Sequence, residues 1–301
     1  MITLNADKQL IRVTSLEEIH QRPGFTGSLD PTRHELKAIL GRYVFRDMVR
    51  CGLSNCHTPH GRGYIVVTTD GLETNIGKDC GRKHFGVDFE DMSRKFDRDI
   101  TEKENREALW SFFYRLPDLI ERITSIRKGG YGADWVYKMS QSLIELNRGC
   151  PQSVVRCISE MLKTGSNTAY LMREATVKEV AIMEASAGKR LRAPQYVRDE
   201  LGHLAGLEAL SPENNLRTIL ALDLTQNLSE FEKLDIDTLT HHQLATWVKY
   251  ANEVEPKLEK AVASVEAGRR LLTGSNLGCL RPLAEADDLS EFEGYLHQLP
   301  G

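Results

Sequence analysis

Apolar and polar residues follow two different periods along this chain. Between residues 63 and 77, the runs GYIVVTT and LETNIG each predict a short strand, and the Asp70-Gly71 pair between them is typical of a two-residue hairpin turn. Beyond residue 87, apolar residues recur at spacings of three and four, which is typical of amphipathic helices. The pattern therefore predicts a mainly α protein, in which a small α/β module is followed by an all-helical region.

The first 47 residues form a separate segment in this prediction. Ile2 to Val13 has the pattern of a short strand. Ser15 with Glu18 three positions later has the form of a capping box at the start of a helical turn. Asp30-Pro31 is typical of a helix start, so a second helix is expected from there toward Val44.

Helices are predicted for residues 91–301. A capping box is expected at Thr101 with Glu104, and Pro117 is expected to kink the following helix or split it in two. The stretch from Gly188 to Pro194 is where this region would divide if it holds two domains. Further helices are predicted over residues 134–146, 151–163, 176–187 (with Glu179 completing a capping box), 194–209 and 212–224.

The most regular helical pattern lies near the end of the chain. Pro256 interrupts this pattern, so a long, bent C-terminal helix is expected rather than a straight coiled coil. An exposed apolar seam over residues 244–272 would suit a protein partner or a second copy of the chain, which makes a homo-oligomer one expectation. The seam consists of Leu244, Trp247, Ala251, Val254, Leu258, Ala261, Val265 and Leu272.

The composition is that of a globular protein. Hydrophobic residues make up 41% and charged residues 27% of the 301 residues, and no stretch approaches the roughly 20 apolar residues that a membrane-spanning helix needs. The opening MITLNADKQL lacks the basic and apolar regions of a secretory signal, so a cytoplasmic location is expected. Six cysteines in such a chain are too few for a disulfide framework.

Three of the six cysteines lie between residues 51 and 80, which points to a metal. Structural zinc takes four nitrogen or sulfur ligands, commonly from two short-spaced pairs. Cys51 and Cys56 can meet one ion across a turn, while Cys80 and His84 share one face of a helix if the helix begins near Cys80. His60 is the alternate ligand, in place of Cys51 or His84.

The order of these parts resembles a treble-clef zinc finger over residues 48–90. Cys51 and Cys56 correspond to the knuckle, the segment from Gly63 to Gly77 to the hairpin, and Cys80 and His84 to the ligands at the helix start. The knuckle is longer than the usual C-x-x-C, and the last ligand is His where Cys is commoner. The resemblance implies one structural Zn²⁺ ion, whose four protein ligands leave no position for a catalytic water.

Charge is unevenly distributed along the chain. The net charge is −4, but residues 31–87 hold nine Lys or Arg against five Asp or Glu, a local charge of +4 that leaves −8 elsewhere. This segment could meet an anionic partner. Arg82 and Lys83 are the candidate phosphate contacts, because helix N-termini favour anions.

These features predict a non-enzymatic zinc-finger adaptor or inhibitor that binds a protein partner through its helical region. The alternative is a nucleic-acid-binding protein that uses the basic finger region of residues 31–87. A third expectation is a metal-dependent nuclease of the His-Asn-His type, for which His60, Asn75 and His84 are the available residues. The Asp-His pair expected in such nucleases is missing, and no other catalytic arrangement stands out.

Overall fold

The computed structural model describes residues 2–6, 9–192 and 194–301. It confirms the fold class, a mainly helical protein with a small antiparallel sheet and a long helix toward the C-terminus. Internal contacts group the chain into two compact units. The N-terminal unit comprises the residues up to Phe112 together with Asp235–Lys249, and the C-terminal unit comprises Phe113–Leu234 and Tyr250–Gly301.

A five-stranded antiparallel sheet forms the centre of the N-terminal unit. Its spatial order is β2-β1-β3-β4-β5, and β4 and β5 form the predicted hairpin, paired from Gly63 opposite Gly77 to Val67 opposite Glu73. The predicted two-residue turn is wrong, because the Thr68 amide donates to the Leu72 carbonyl at 2.9 Å and residues 69–71 form a three-residue loop with Gly71 at a φ of 88°. The strands are β1 (Ile2–Ala6), β2 (Gln9–Val13), β3 (Leu36–Arg50), β4 (Pro59–Thr68) and β5 (Glu73–Gly77).

The helix expected from Asp30-Pro31 toward Val44 is wrong, because β3 begins at Leu36 and the residues from Asp30 to Glu35 form a turn and an irregular segment. Strand β3 pairs with β1 on one side and β4 on the other, so hydrogen bonds to distant segments replace those of a helix. Its register shifts near Leu36 and Ile39, which breaks the alternation of buried positions and conceals the strand period in the sequence. Strand β3 also runs across the predicted segment boundary at residue 47.

The N-terminal capping prediction was also incorrect. A short helix, α1 (Leu16–His20), follows Ser15, but the Ser15 side chain makes no capping hydrogen bond. Glu18 instead accepts a hydrogen bond from the Thr14 hydroxyl at 3.3 Å. The single strand predicted for residues 2–13 is two strands, β1 and β2, paired with each other.

Two hydrophobic clusters pack on the sheet. One contains Ile2, Ile19 and Tyr43, and the other packs Tyr64 against the long helix α2 (Lys78–Phe113) through Phe89 and Phe96. The Tyr64 hydroxyl donates to Asp97 Oδ2 of that helix at 2.6 Å. Burial of these large side chains is the main source of stability for the unit.

The outer strand β5 is covered by the chain segment before β3. All five β5 residues are buried. The Thr26 amide donates to the Glu73 carbonyl at 2.8 Å, and the Glu73 amide donates to the Gly24 carbonyl at 2.9 Å. Arg22 binds the Glu73 carboxylate with two hydrogen bonds of 2.7 and 2.9 Å. The sheet edge at β5 is therefore paired rather than open to solvent.

Helix α2 is longer than predicted and is kinked at Gly86, which has a φ of 64° and a ψ of −142°. Thr101 lies in the interior of α2, so the prediction of a capping box there is wrong. Helix α3 (Leu116–Lys128) has Pro117 in its first turn. Pro117 therefore splits the helical run in two, one of the two expected outcomes, because proline is tolerated in a first turn.

In the C-terminal unit, the predicted helix over residues 194–209 is wrong. Strand β7 (Tyr196–His203) lies there and pairs antiparallel with β6 (Thr168–Glu174), which was not predicted. Helix α6 (Val177–Ala187) connects these strands and has the predicted Thr176–Glu179 capping box.

The other predicted helices of this unit are present with small shifts, except the one over residues 212–224. A 3₁₀ turn at Pro212–Asn214 and a π-helix at Thr218–Gln226 occupy that stretch. The remaining α-helices are α4 (Ala133–Ile144), α5 (Gln152–Thr164), α7 (Asn227–Glu232), α8 (His241–Leu271), α9 (Gly274–Leu277) and α10 (Ala286–Leu296).

Helix α8 is the predicted long helix and runs through Pro256 without interruption. Its apolar seam is buried within the chain. Leu244 and Leu258 have no exposed surface, and Val254, Ala261, Val265 and Leu272 are also buried. The interpretation of residues 244–272 as an exposed partner or homo-oligomer surface was therefore wrong, because the heptad-like repeat supplies internal core. None of the described helices has the length and apolar character that a bilayer crossing requires.

Candidate metal centre

The knuckle of the candidate site is the turn that joins β3 to β4. Its backbone is held by hydrogen bonds to two other segments and by one hydrogen bond within the turn. The Gly52 amide donates to the Asn75 carbonyl at 2.8 Å, the Leu29 amide donates to the Gly52 carbonyl at 2.8 Å, and the Cys51 amide donates to the Thr58 carbonyl at 3.1 Å. Both ends of the turn are thereby placed next to the end of β5.

Gly52 allows this close packing. A Cβ atom on residue 52 would lie 2.1 Å from Thr74 Oγ1 and 3.0 Å from Asn75 Oδ1. Thr74 is fully buried, and its hydroxyl lies 2.7 Å from the Thr26 carbonyl and 3.2 Å from that of Gly52. The Cys-Gly sequence thus places Cys51 against β5 because residue 52 has no side chain.

Three cysteines come together at this point. The sulfur atoms of Cys51, Cys56 and Cys80 all lie within 4.8 Å of one another, and the Cys56 and Cys80 sulfurs are 3.3 Å apart. Cys51 is buried and the other two are half-buried. Cys80 is the third residue of α2, so the group joins the knuckle to the helix. Among the described residues, this is the one group with metal-ligand spacing.

The surroundings shift the pKa values of the three thiols in different directions. The Thr58 hydroxyl and amide lower the Cys56 pKa to about 7, and contacts with the other two cysteines add to this. Burial raises the pKa of Cys51, although hydrogen bonds from the Leu53 and Gly77 amides favour its thiolate. Burial and the neighbouring cysteines raise the Cys80 pKa to about 12. Three thiolates this close repel each other, so a bound cation would remove the repulsion that keeps Cys80 protonated.

The two histidines considered as ligands, His60 and His84, lie outside the group formed by the three cysteines. His84 is half-buried, one helical turn beyond Cys80, and is not a member of the three-residue group. His60 has both ring nitrogens engaged. Its Nδ1 lies 3.0 Å from the Thr58 carbonyl, which can only accept, so Nδ1 donates and Nε2 accepts from the Tyr43 hydroxyl at 2.5 Å.

A buried polar network beside the cysteines was not predicted from sequence. Asn75 is buried and donates to the Arg50 carbonyl at 2.8 Å and to the Tyr43 hydroxyl at 3.4 Å. Burial raises the Tyr43 pKa, and the nearby Cys51 and Cys80 thiolates raise it further. Tyr43, His60 and Asn75 are thus occupied in holding β3, β4 and β5 together, and two of them are residues considered for a nuclease site.

The predicted phosphate contacts lie on the exposed first turns of α2. The Arg82 guanidinium is engaged, with Nη2 3.3 Å from Asp79 Oδ1 and Nε 3.8 Å from Glu90 Oε1. Lys83 is exposed and makes no ion pair with the described residues. Of the two, Lys83 is the side chain whose charge is available to a ligand.

Comparison with protein-family models, curated proteins and solved structures finds no match to this chain. The site geometry and the exposed surfaces therefore carry the functional argument alone.

Proposed function

We propose that this protein is a non-enzymatic adaptor or inhibitor, in which one structural zinc ion stabilises the N-terminal unit and the C-terminal unit binds a protein partner. Cys51, Cys56 and Cys80 would hold the ion. Thiolate groups favour zinc over hard cations such as Mg²⁺. With Zn–S bonds of about 2.3 Å, tetrahedral sulfur ligands lie about 3.8 Å apart, which agrees with a group whose sulfurs all lie within 4.8 Å.

His84 is the fourth ligand in this proposal. It follows Cys80 by four residues, so both lie on one face of α2 ahead of the Gly86 kink. A side-chain rotation would be needed to bring His84 into the group. Four protein ligands would fill the coordination shell and give the ion a structural role, linking the knuckle to the helix.

The zinc part of the proposal is tested by metal analysis of the full-length protein. We expect one zinc per chain. Cys80→Ser should lower the zinc content and destabilise the N-terminal unit, since structural zinc supplies on the order of 10 kcal/mol to small modules. Cys157→Ser, a half-buried cysteine outside the group, is the matched control. Zinc-free wild-type protein with an unchanged unfolding transition after chelation would refute this part.

The partner surface is the observation that carries the adaptor function. We define the arm as β6, α6 and β7. Helix α6 has no buried residue, although it is rich in apolar side chains, and Val177 is 88% and Ile182 67% exposed. Tyr170, Met172 and Tyr196 on the two strands are also exposed. Tyrosine and methionine are enriched at protein interfaces, and such a concentration of exposed apolar groups marks an interaction site.

The arm is held in shape by an ion-pair network. Arg173 on β6 binds Glu179 of α6 at 2.8 Å and Asp199 of β7 at 2.5 Å. The Thr176–Glu179 capping box adds a second connection between β6 and α6. Because these bonds order the arm before binding, little conformational entropy remains to be lost when a partner docks.

Capture experiments with full-length protein test the partner surface. We expect wild-type protein to retain a partner from its native host, and Met172→Asp combined with Ile182→Asp to lose it. The matched control is Leu146→Asp, at a 50% exposed leucine outside the arm. Equal capture by the arm variant and the wild type would show that the arm is not the partner surface.

A further inference from the structure

Past Tyr43 and Gly63, among the described residues, strands β3 and β4 pair only with each other and form a bulged two-stranded ribbon, whose far end is held by a hydrogen bond from the Asn75 side chain to the Arg50 carbonyl. We define the ribbon as residues 44–50 and 59–62. Among the described residues, β1 pairs with β3 as far as Tyr43, and β5 ends at Gly77, opposite Gly63. Past those points the described pairs join β3 to β4 alone, with Val44 opposite Arg62, Val49 opposite His60 and Arg50 opposite Pro59.

The ribbon and the first turns of α2 carry a group of exposed positive charges, most of which have no ion-pair partner among the described residues. Across the ribbon and residues 78–84 there are six Lys or Arg against two Asp, a local charge of +4 in a chain whose net charge is −4. Within the described structure, five of the six cations have no carboxylate within 4.0 Å, and all five are exposed. They are Arg46, Arg50, Arg62, Lys78 and Lys83.

Other arginines of the same unit are paired. Arg22 binds Glu73, and Arg42 binds Glu104. The unpaired cations are grouped by the sheet register: Arg62 directly precedes Gly63, whose partner Gly77 directly precedes Lys78. Arg50 directly precedes Cys51 and Lys78 precedes Cys80 by two residues, so part of the positive charge lies next to the cysteine group in the sequence.

We propose that the ribbon and the start of α2 form a binding site for duplex DNA. The major groove of B-DNA admits a two-stranded β-ribbon, and arginine side chains bind both phosphate and guanine in bidentate fashion. A repeating polyanion satisfies five separate cations at once, which a single carboxylate or phosphate cannot do.

This site is independent of the arm, which belongs to the other unit and would bind a protein. A negative result for DNA binding at the ribbon therefore does not bear on partner binding at the arm, and the converse also holds. The acidic remainder of the chain does not prevent DNA binding at the ribbon, because charges more than about 10 Å away are largely screened at ordinary salt concentration.

Fluorescence anisotropy with a labelled 20-base-pair duplex tests the proposal on the full chain. If all five cations contact phosphates, the log–log slope of affinity against salt is about −4.5, so a rise from 50 to 200 mM salt weakens binding about 500-fold. The triple variant Arg46→Ala, Arg50→Ala, Arg62→Ala should reduce the magnitude of the slope by about 2.7 and weaken binding at 50 mM salt at least tenfold.

Lys37→Ala is the matched control. Lys37 is an exposed lysine near the opposite end of β3, and its variant should bind as the wild type does. Zinc content and circular dichroism check that each variant is folded. If the triple variant loses zinc, Arg46→Ala and Arg62→Ala are measured singly, each with an expected slope change of about 0.9.

Three results would overturn the proposal. The first is the absence of duplex binding at 50 mM salt. The second is an equal loss of binding in Lys37→Ala and in the ribbon variants. The third is tighter binding to single-stranded DNA, to RNA of the same length or to polyglutamate than to the duplex, which would assign the charges to a different polyanion.

Discussion

Replacing Gly52 by alanine should destabilise the N-terminal unit by several kcal/mol, although the change adds one methyl group. The new Cβ would lie 2.1 Å from the buried Thr74 hydroxyl oxygen and 3.2 Å from the Asn75 carbonyl oxygen. The first distance is far below any real contact, and neither β5 residue can move away because the whole strand is buried. Either Thr74 changes rotamer or the knuckle separates from β5.

The size of this loss can be estimated from the hydrogen bonds of Thr74 that the new methyl group would break and from the overpacking that it would cause. A Thr74 rotamer change would remove hydrogen bonding at the Thr26 and Gly52 carbonyls, and leaving buried polar groups unsatisfied costs about 1–3 kcal/mol. Overpacking strain adds about 1–3 kcal/mol. We therefore expect Gly52→Ala to lose about 3–5 kcal/mol of unfolding free energy, and to bind zinc more weakly because Cys51 is the neighbouring residue.

Urea unfolding followed by circular dichroism measures this loss, with Gly27→Ala as the control. Gly27 lies in the segment that covers β5, and a Cβ there meets no atom within 4 Å. That control should change stability by less than about 1 kcal/mol in either direction. A Gly52→Ala protein within 0.5 kcal/mol of the wild type (roughly the margin for surface substitutions) and with zinc retained would refute the described packing of the knuckle against β5.

Two further predictions concern titration. Zinc affinity should rise with pH, because binding needs thiolates and releases their protons. Cys51 and Cys80, whose pKa values are raised, each release a proton above pH 7, while Cys56 does so only below its pKa of about 7. A chelator-competition titration should therefore give affinity rising about 100-fold per pH unit above 7 and about 1,000-fold below it, and pH-independent affinity would contradict the thiol ligands. For the arm, the Arg173 guanidinium, then the Thr176 amide and hydroxyl, lower the Glu179 pKa from 4.5. This interaction favours the ordered arm fully above pH 4.5 and is lost as the pH falls below it. In the wild type, the protection factors of the α6 amides, corrected for intrinsic exchange, should therefore fall between about pH 5 and 2. Glu179→Gln should remove this fall, and a fall unchanged by the variant would contradict the network.

The sequence predicted those features whose signals are local. Asp70-Gly71 lies between two β-rich runs, which was enough to predict the hairpin although not the length of its loop, and the Thr176–Glu179 capping box marks the start of the helix that it precedes. The cysteine group was also predictable, because zinc ligands occur in short-spaced pairs. In these places, local preference and final structure agree.

The features that depend on distant partners were missed. Strands β3 and β7 contain residues that suit a helix or a strand equally, and only pairing with β1 and β4, or with β6, decides between them. The buried seam of α8 has the same sequence pattern as an exposed one, because periodicity shows that a face is apolar and not what covers it. The Tyr43–His60–Asn75 network joins three strands and has no spacing that sequence reasoning could detect.

Metal removal should separate the two proposed activities. Cys51 lies in the turn that closes the ribbon and belongs to the same hydrophobic cluster as Leu53 and Phe89, whereas most residues of the ribbon are exposed. The metal is therefore expected to hold the turn that closes the ribbon, and its loss should let residues 44–62 exchange amide protons faster. Because binding a disordered ribbon costs additional conformational entropy, DNA affinity should fall at least tenfold (roughly 1.4 kcal/mol) after chelation. The ion pairs of Arg173 with Glu179 and Asp199 hold the arm in shape and do not involve the metal. Capture of the protein partner by the arm should therefore persist after chelation. DNA binding that survives complete chelation would show that the ribbon is ordered without the ion, and loss of both activities together would show that the metal supports more than the N-terminal unit.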